Sequence, residues 1–101
     1  MAAKSRSTII ADLEAHMAAN GGVFTEWYVG VTDRPKHQLF TVHRLQSSGD
    51  AWISRKAPDD LQAGEVAEFF RTVRHTRGGT RPETLDHVFV YAYRLKPHTR
   101  P

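Results

Sequence analysis

Trp27-Tyr28-Val29-Gly30-Val31-Thr32 is the stretch from which the rest of this chain can be read. Its side chains alternate as in an extended strand, with Trp27, Val29 and Val31 on one face and Tyr28, Gly30 and Thr32 on the other. A glycine inside a strand marks a point where backbone or a ligand comes close. The strand is expected over residues 23–32. Asp33-Arg34-Pro35 follows as a helix start, with a capping aspartate and a proline in the first turn. That helix should run to about residue 45 and carry Leu39, Phe40 and His43 near one face, although Thr41 and Val42 are weak helix formers.

On the N-terminal side, Ile9, Ile10, Leu13 and Met17 recur at helical spacing, which predicts a helix over residues 8–20. Ser7 can cap it, and Asn20-Gly21-Gly22 ends it with residues that tolerate positive φ. On the C-terminal side, a loop at residues 47–50 leads to a short strand at 51–56 around Trp52 and Ile53. Ala57-Pro58-Asp59-Asp60 then opens a helix to about residue 74, with an apolar stripe of Leu61, Val66, Phe69, Phe70 and Val73. A polar loop is expected at 76–83. The strongest strand pattern covers 86–95, with His87, Phe89, Tyr91, Tyr93 and Leu95 on one face and Val88, Val90 and Ala92 on the other. The tail, residues 96–101, is expected to fray. The expected fold is α+β: a single domain with a small three-stranded mixed sheet, packed helices and an extra N-terminal helix.

Composition bounds the function. With 101 residues, 40% of them hydrophobic and 25% charged, the chain suits one globular domain and leaves no room for a second core. The absence of cysteine excludes disulfides, thiol catalysis and zinc fingers. No apolar run approaches the ~18 residues of a membrane helix, and no h-region follows the N-terminal charges, so the expected compartment is the cytoplasm. Fourteen Lys and Arg against eleven Asp and Glu give +3, which permits a nucleic-acid partner without requiring one. His37 and His43 do not form an i, i+4 pair, and His16, His75, His87 and His98 are scattered, so a histidine metal site is not expected. No Gly-x-Ser-x-Gly elbow and no phosphate-binding glycine loop after a strand is present.

Tyr28-Val29-Gly30, Thr32 and His43, followed by the strand around Trp52 and a helix bearing Glu65 and Glu68, resemble the second motif and following elements of the GIY-YIG nuclease superfamily. The family's first motif, a Gly-Ile-Tyr strand, does not precede Tyr28. The last strand, with Tyr91 and Tyr93, resembles it instead, which implies a permuted order in which that strand lies beside Tyr28. The resemblance covers about residues 24–95. It implies a metal-dependent phosphodiesterase or endonuclease in which Tyr28 and Tyr91 or Tyr93 meet the scissile phosphate or the attacking water. His43 would assist them, and Glu65 or Glu68 would hold Mg²⁺ or Mn²⁺. Where the family carries an arginine this chain has Gln38, so Arg34 or Arg44 would have to stand in.

Arg71, Arg74, Arg77 and Arg81, near the loop after the long helix, form one candidate nucleic-acid surface, and Lys96, His98 and Arg100 in the tail another. Gln38 in place of the arginine favours binding over catalysis. Two alternatives to an active nuclease follow: a degenerate relative that still binds nucleic acid, and an inactive interaction module, such as a phage or mobile-element accessory protein that binds a host protein. Edge strands and the apolar N-terminal helix leave a homodimer open.

Overall fold

A computed structural model describes residues 3–46, 49–78 and 86–101. Helix α1 spans Arg6–Ala19 and begins two residues earlier than the sequence suggests, because Ser5 rather than Ser7 caps it and accepts a hydrogen bond from the Thr8 backbone N–H. A single 3-10 turn, Phe24–Glu26, takes the first part of the expected strand, so β1 is Trp27–Thr32. Pro35 sits in the first turn of a short α2, Pro35–His37, as expected. Asp33 does not cap it; the Thr32 hydroxyl instead accepts from the Arg34 N–H at 3.1 Å. The helix does not continue as α to residue 45. It widens into a π-helical turn, Gln38–Val42, with His43 N–H bonded to the Gln38 carbonyl.

Strand β2 is Trp52–Lys56, and α3 is Asp60–Val73, capped by Asp59 through the Gln62 N–H. A two-residue strand β3, Arg77–Gly78, follows, and β4 is Phe89–Arg94. The sheet therefore has four strands, not three, in the order β2-β4-β1-β3. The strand missed in the sequence is held from outside itself: Arg77 and Gly78 pair in parallel with Tyr28 and Val29. Gly78 adopts φ +90, and a Cβ there would collide with the Val29 carbonyl and the Tyr28 ring.

The C-terminal strand lies beside β1, antiparallel, with Tyr28 opposite Tyr93 and Gly30 opposite Tyr91. The alternation in β1 and β4 divides the sheet into two unlike faces. Trp27, Val29, Val31, Val90, Ala92 and Ile53 pack with Ile9, Leu13 and Met17 of α1 and with Ala63, Val66, Ala67 and Phe70 of α3. Ile9, Leu13 and Met17 are fully buried within this one chain. The opposite face carries Tyr28, Tyr91, Tyr93 and Trp52 under Leu39, Phe40 and Leu45 from the α2 segment. No helix among the described residues is long and apolar enough to cross a membrane.

The tail does not fray. Pro97 stands in a turn closed by Thr99 N–H to the Lys96 carbonyl at 3.0 Å, and Thr99 is buried. Buried Asp50 ties the tail to the preceding loop through Lys96 at 3.4 Å and His98 at 2.6 Å.

Candidate functional site: the tyrosine and histidine face

Strand alternation brings Tyr28, Tyr91 and Tyr93 to one face, and the π-helical turn brings His43 down onto them. Gly30 makes room. A side chain at that position would meet the Tyr91 hydroxyl at 2.6 Å, so the absence of a Cβ lets the Tyr91 ring lie across β1. The Tyr28 ring stacks on Tyr93 at 5.2 Å between centroids and on Tyr91 at 6.2 Å, and leans on His43 at 4.7 Å. Tyr91, Tyr93 and His43 are buried, whereas Tyr28 is half-exposed.

The hydrogen bonds fix the histidine tautomer. His43 Nδ1 lies 2.7 Å from the Arg100 carbonyl, which can only accept, so Nδ1 carries the proton. Burial, partly opposed by that backbone bond, depresses the His43 pKa and keeps the ring neutral. Nε2 is then a lone pair that accepts from the Tyr91 hydroxyl at 2.7 Å. The Tyr93 oxygen, 3.0 Å from Nδ1, shares the Nδ1 proton as a second acceptor. The Arg100 N–H in turn donates to the His43 carbonyl at 2.7 Å, so the tail and the turn hold each other by two bonds.

Burial, reinforced by Tyr28, pushes the Tyr91 hydroxyl far above its ordinary value, and the Gln38 side chain opposes this only in part. Gln38 thus faces the tyrosines from the position where the resemblance calls for an arginine. Tyr93 is raised as well, by burial and then by Tyr28, with Arg77 opposing. Neither hydroxyl is poised to ionise near neutral pH. The cluster is a neutral, rigid aromatic platform with one partly open ring.

Of the residues singled out from sequence, Tyr28, Tyr91, Tyr93 and His43 come together. Glu65 and Glu68 do not join them. Both stand exposed on α3, which covers the opposite face, and Glu65 is engaged by Arg6 at 2.8 Å. No group of three His, Cys, Asp or Glu among the described residues could hold a metal ion. Neither candidate glutamate reaches the tyrosine face, where the resemblance would have it hold Mg²⁺ or Mn²⁺.

Arg34 and Arg44 are exposed at the two ends of the α2 segment, Arg44 with φ 64 in the left-handed region next to His43. Arg71 is exposed on the helix layer. Arg74 pairs with Glu14 at 2.7 Å and lies over the Phe24 ring. Among the described residues of the basic loop, Arg77 stands beside the tyrosines, in register with Tyr28. Arg81 lies outside the described residues, as do Ser47, Ser48 and Gly79. Sequence reasoning missed the role of Arg100, whose backbone orients His43; the proline turn at Pro97 was the available signal of an ordered tail.

Charge is distributed unevenly between the layers. Helices α1 and α3 together hold Arg6 and Arg71 against Asp12, Glu14, Asp60, Glu65 and Glu68. Lys4, Arg6, Arg55 and Arg74 on that side are each ion-paired. Among the described residues, Arg34, Lys36, Arg44, Lys56, Arg71, Arg77 and Arg100 make no ion pair; Arg71 is the one of these on α1 or α3. Comparison with protein-family models, curated proteins and solved structures finds no significant match.

Proposed function

We propose that this chain is a nucleic-acid-binding domain, a non-hydrolytic relative of the GIY-YIG nucleases, that takes a phosphate backbone and an unstacked base on its tyrosine face. The observation that carries this reading is the placement of Arg77 beside half-exposed Tyr28, and of Arg44 and Arg100 beside its His43 support, none of the three with an ion pair among the described residues. Cations free of carboxylates can release counterions when phosphates replace their solvent, and a partly open tyrosine offers a stacking surface to any base. The acidic helix layer repels a polyanion, so it favours approach from the tyrosine side. Binding without cleavage is supported by the chemistry of the face: buried, un-ionised tyrosines, Gln38 in place of a cation, and Glu65 and Glu68 exposed on the far side of the sheet.

The test is a fluorescence-anisotropy titration of labelled single-stranded DNA and RNA at several salt concentrations, with Mg²⁺ and Mn²⁺ present and the oligonucleotide checked on a gel. Affinity should fall linearly in log–log form with a slope near −0.7 per phosphate neutralised, and the oligonucleotide should stay intact. Metal-dependent cutting that is lost in both Tyr28→Phe and Glu65→Ala would restore the nuclease reading. Absence of binding to either nucleic acid would favour the protein-interaction alternative.

A further inference from the structure

The helix face of the sheet encloses three buried polar atoms with no hydrogen-bond partner among the described residues: His16 Nε2, Trp27 Nε1 and Thr76 Oγ1. Most buried polar side-chain atoms in native proteins have a partner, so three orphans demand a cause. They gather around one indole. The His16 ring of α1 stands edge-on to Trp27, 5.6 Å between centroids with the planes at 79°. Thr76 comes to the same indole by strand register. Tyr28 lies beside Arg77 and Val29 beside Gly78 in parallel, so the position before these pairs sets Thr76 beside Trp27. Alternation turns both side chains to the helix face, opposite to Tyr28 and Arg77. Trp27 is fully buried and Thr76 is 5% exposed. The end of α3 delivers Thr76 there: His75 reverses the chain with φ 60, and the Thr76 N–H returns to the Phe70 carbonyl at 3.1 Å.

We propose that these three groups share one buried water molecule, which accepts from the Trp27 N–H and donates to His16 Nε2 and the Thr76 hydroxyl. The indole N–H can only donate. Burial chiefly, then Arg55, depresses the His16 pKa and keeps its ring neutral, with one nitrogen able to accept. A water supplies both roles at once, and about three hydrogen bonds are usual for a buried one. None of the three groups carries a charge, so nothing in the site offsets the cost of burying an ion. The competing arrangement is an N–H···π contact within the His16–Trp27 pair, which leaves the Thr76 hydroxyl without a partner. The water ties α1, the first residue of β1 and the residue before β3 together, across the sheet from Tyr28 and Arg77. This inference is independent of the nucleic-acid reading.

The experiment is water–protein NOE and ROE spectroscopy on the intact ¹⁵N-labelled protein. The Trp27 indole N–H should give a water cross-peak whose NOE and ROE have opposite signs, the mark of a bound water rather than surface solvent. A crystal structure should show solvent density within hydrogen-bonding reach of all three atoms. The near-isosteric Thr76→Val should lose the cross-peak, and Thr76→Ser, which keeps the hydroxyl, should retain it. Where Thr76→Val does not fold, the native spectrum and the density decide. A Trp27 indole without a bound-water cross-peak, a crystal structure without that density, or a cross-peak undiminished in Thr76→Val would overturn the shared site.

Discussion

The two faces of this sheet are built from the same two strands and behave as different materials. On the helix face, Trp27, Val29, Val31, Val90 and Ala92 meet two helices in an apolar contact, ringed by the ion pairs of Arg6, Arg55 and Arg74 with Glu65, Asp12 and Glu14. On the other face, alternate residues of the same strands present Tyr28, Tyr91 and Tyr93 to a histidine, a widened turn and the chain's own tail. The first face carries most of the aliphatic burial and with it the larger share of the driving force for folding. The second contains hydroxyls and an imidazole that must find partners, a costlier way to fill space, with Arg44, Arg77 and Arg100, which make no ion pair among the described residues, around it.

The largest expected effect breaks the helix face. Phe70→Ala removes a fully buried ring of α3 and should cost roughly 3–5 kcal/mol in urea denaturation, a large part of the 5–15 kcal/mol typical of a domain. Molecules that remain folded should still bind nucleic acid. Tyr28→Ala makes the converse test. It should weaken single-strand binding by about 1–3 kcal/mol in anisotropy, roughly 5- to 150-fold, and lower stability less than Phe70→Ala does.

These two substitutions also show how much of the molecule was legible. Alternation groups Tyr91 with Tyr93 in β4 and separates Tyr28 from Trp27, Val29 and Val31 in β1, and α1 and α3 are evident in their periodicity; that Tyr28 shares the face of Tyr91 and Tyr93 is set by the register of the two strands. What was not legible depends on contacts from far along the chain. Strand β3 has two residues and no pattern of its own; Tyr28 and Val29 create it. The π-helical turn that delivers His43 is a helix reading altered by Thr41 and Val42 and by the packing of Leu39 and Leu45 beneath it. Glu65 and Glu68 show the limit most clearly. Their order along the chain suits the resemblance, but the face of α3 that turns inward is decided by Val66 and Phe70, which leaves both glutamates on the wrong side of the sheet to meet the tyrosines.

Acid should act next on both faces, through His43 on one and His16, against Trp27, on the other. His43 and His16 are both depressed in the folded state, each mainly by burial, from an unfolded value of 6.5. Below that pH the unfolded chain takes up protons that the native state refuses. The contribution is therefore complete above 6.5 and is lost progressively as the pH falls toward the folded values. Urea midpoints should drop between pH 7 and pH 5, by at most about 1.4 kcal/mol per pH unit for each histidine. His43→Gln should reduce that slope and cost about 1–3 kcal/mol at pH 7, because Tyr91 and the tail lose their partner. The smallest effect belongs to the exposed helix layer: Glu68→Ala should change stability by no more than about 0.5 kcal/mol and leave nucleic-acid affinity unchanged or slightly higher.

The central claim is that one face of the sheet binds and the other only folds, and amide chemical-shift mapping tests it directly. A single-stranded oligonucleotide titrated into ¹⁵N-labelled protein should move the amides of Tyr28, His43, Arg44, Arg77 and Arg100 and leave those of α1 and α3 in place. Shifts concentrated on α1 and α3, or none at saturating oligonucleotide, would contradict the account.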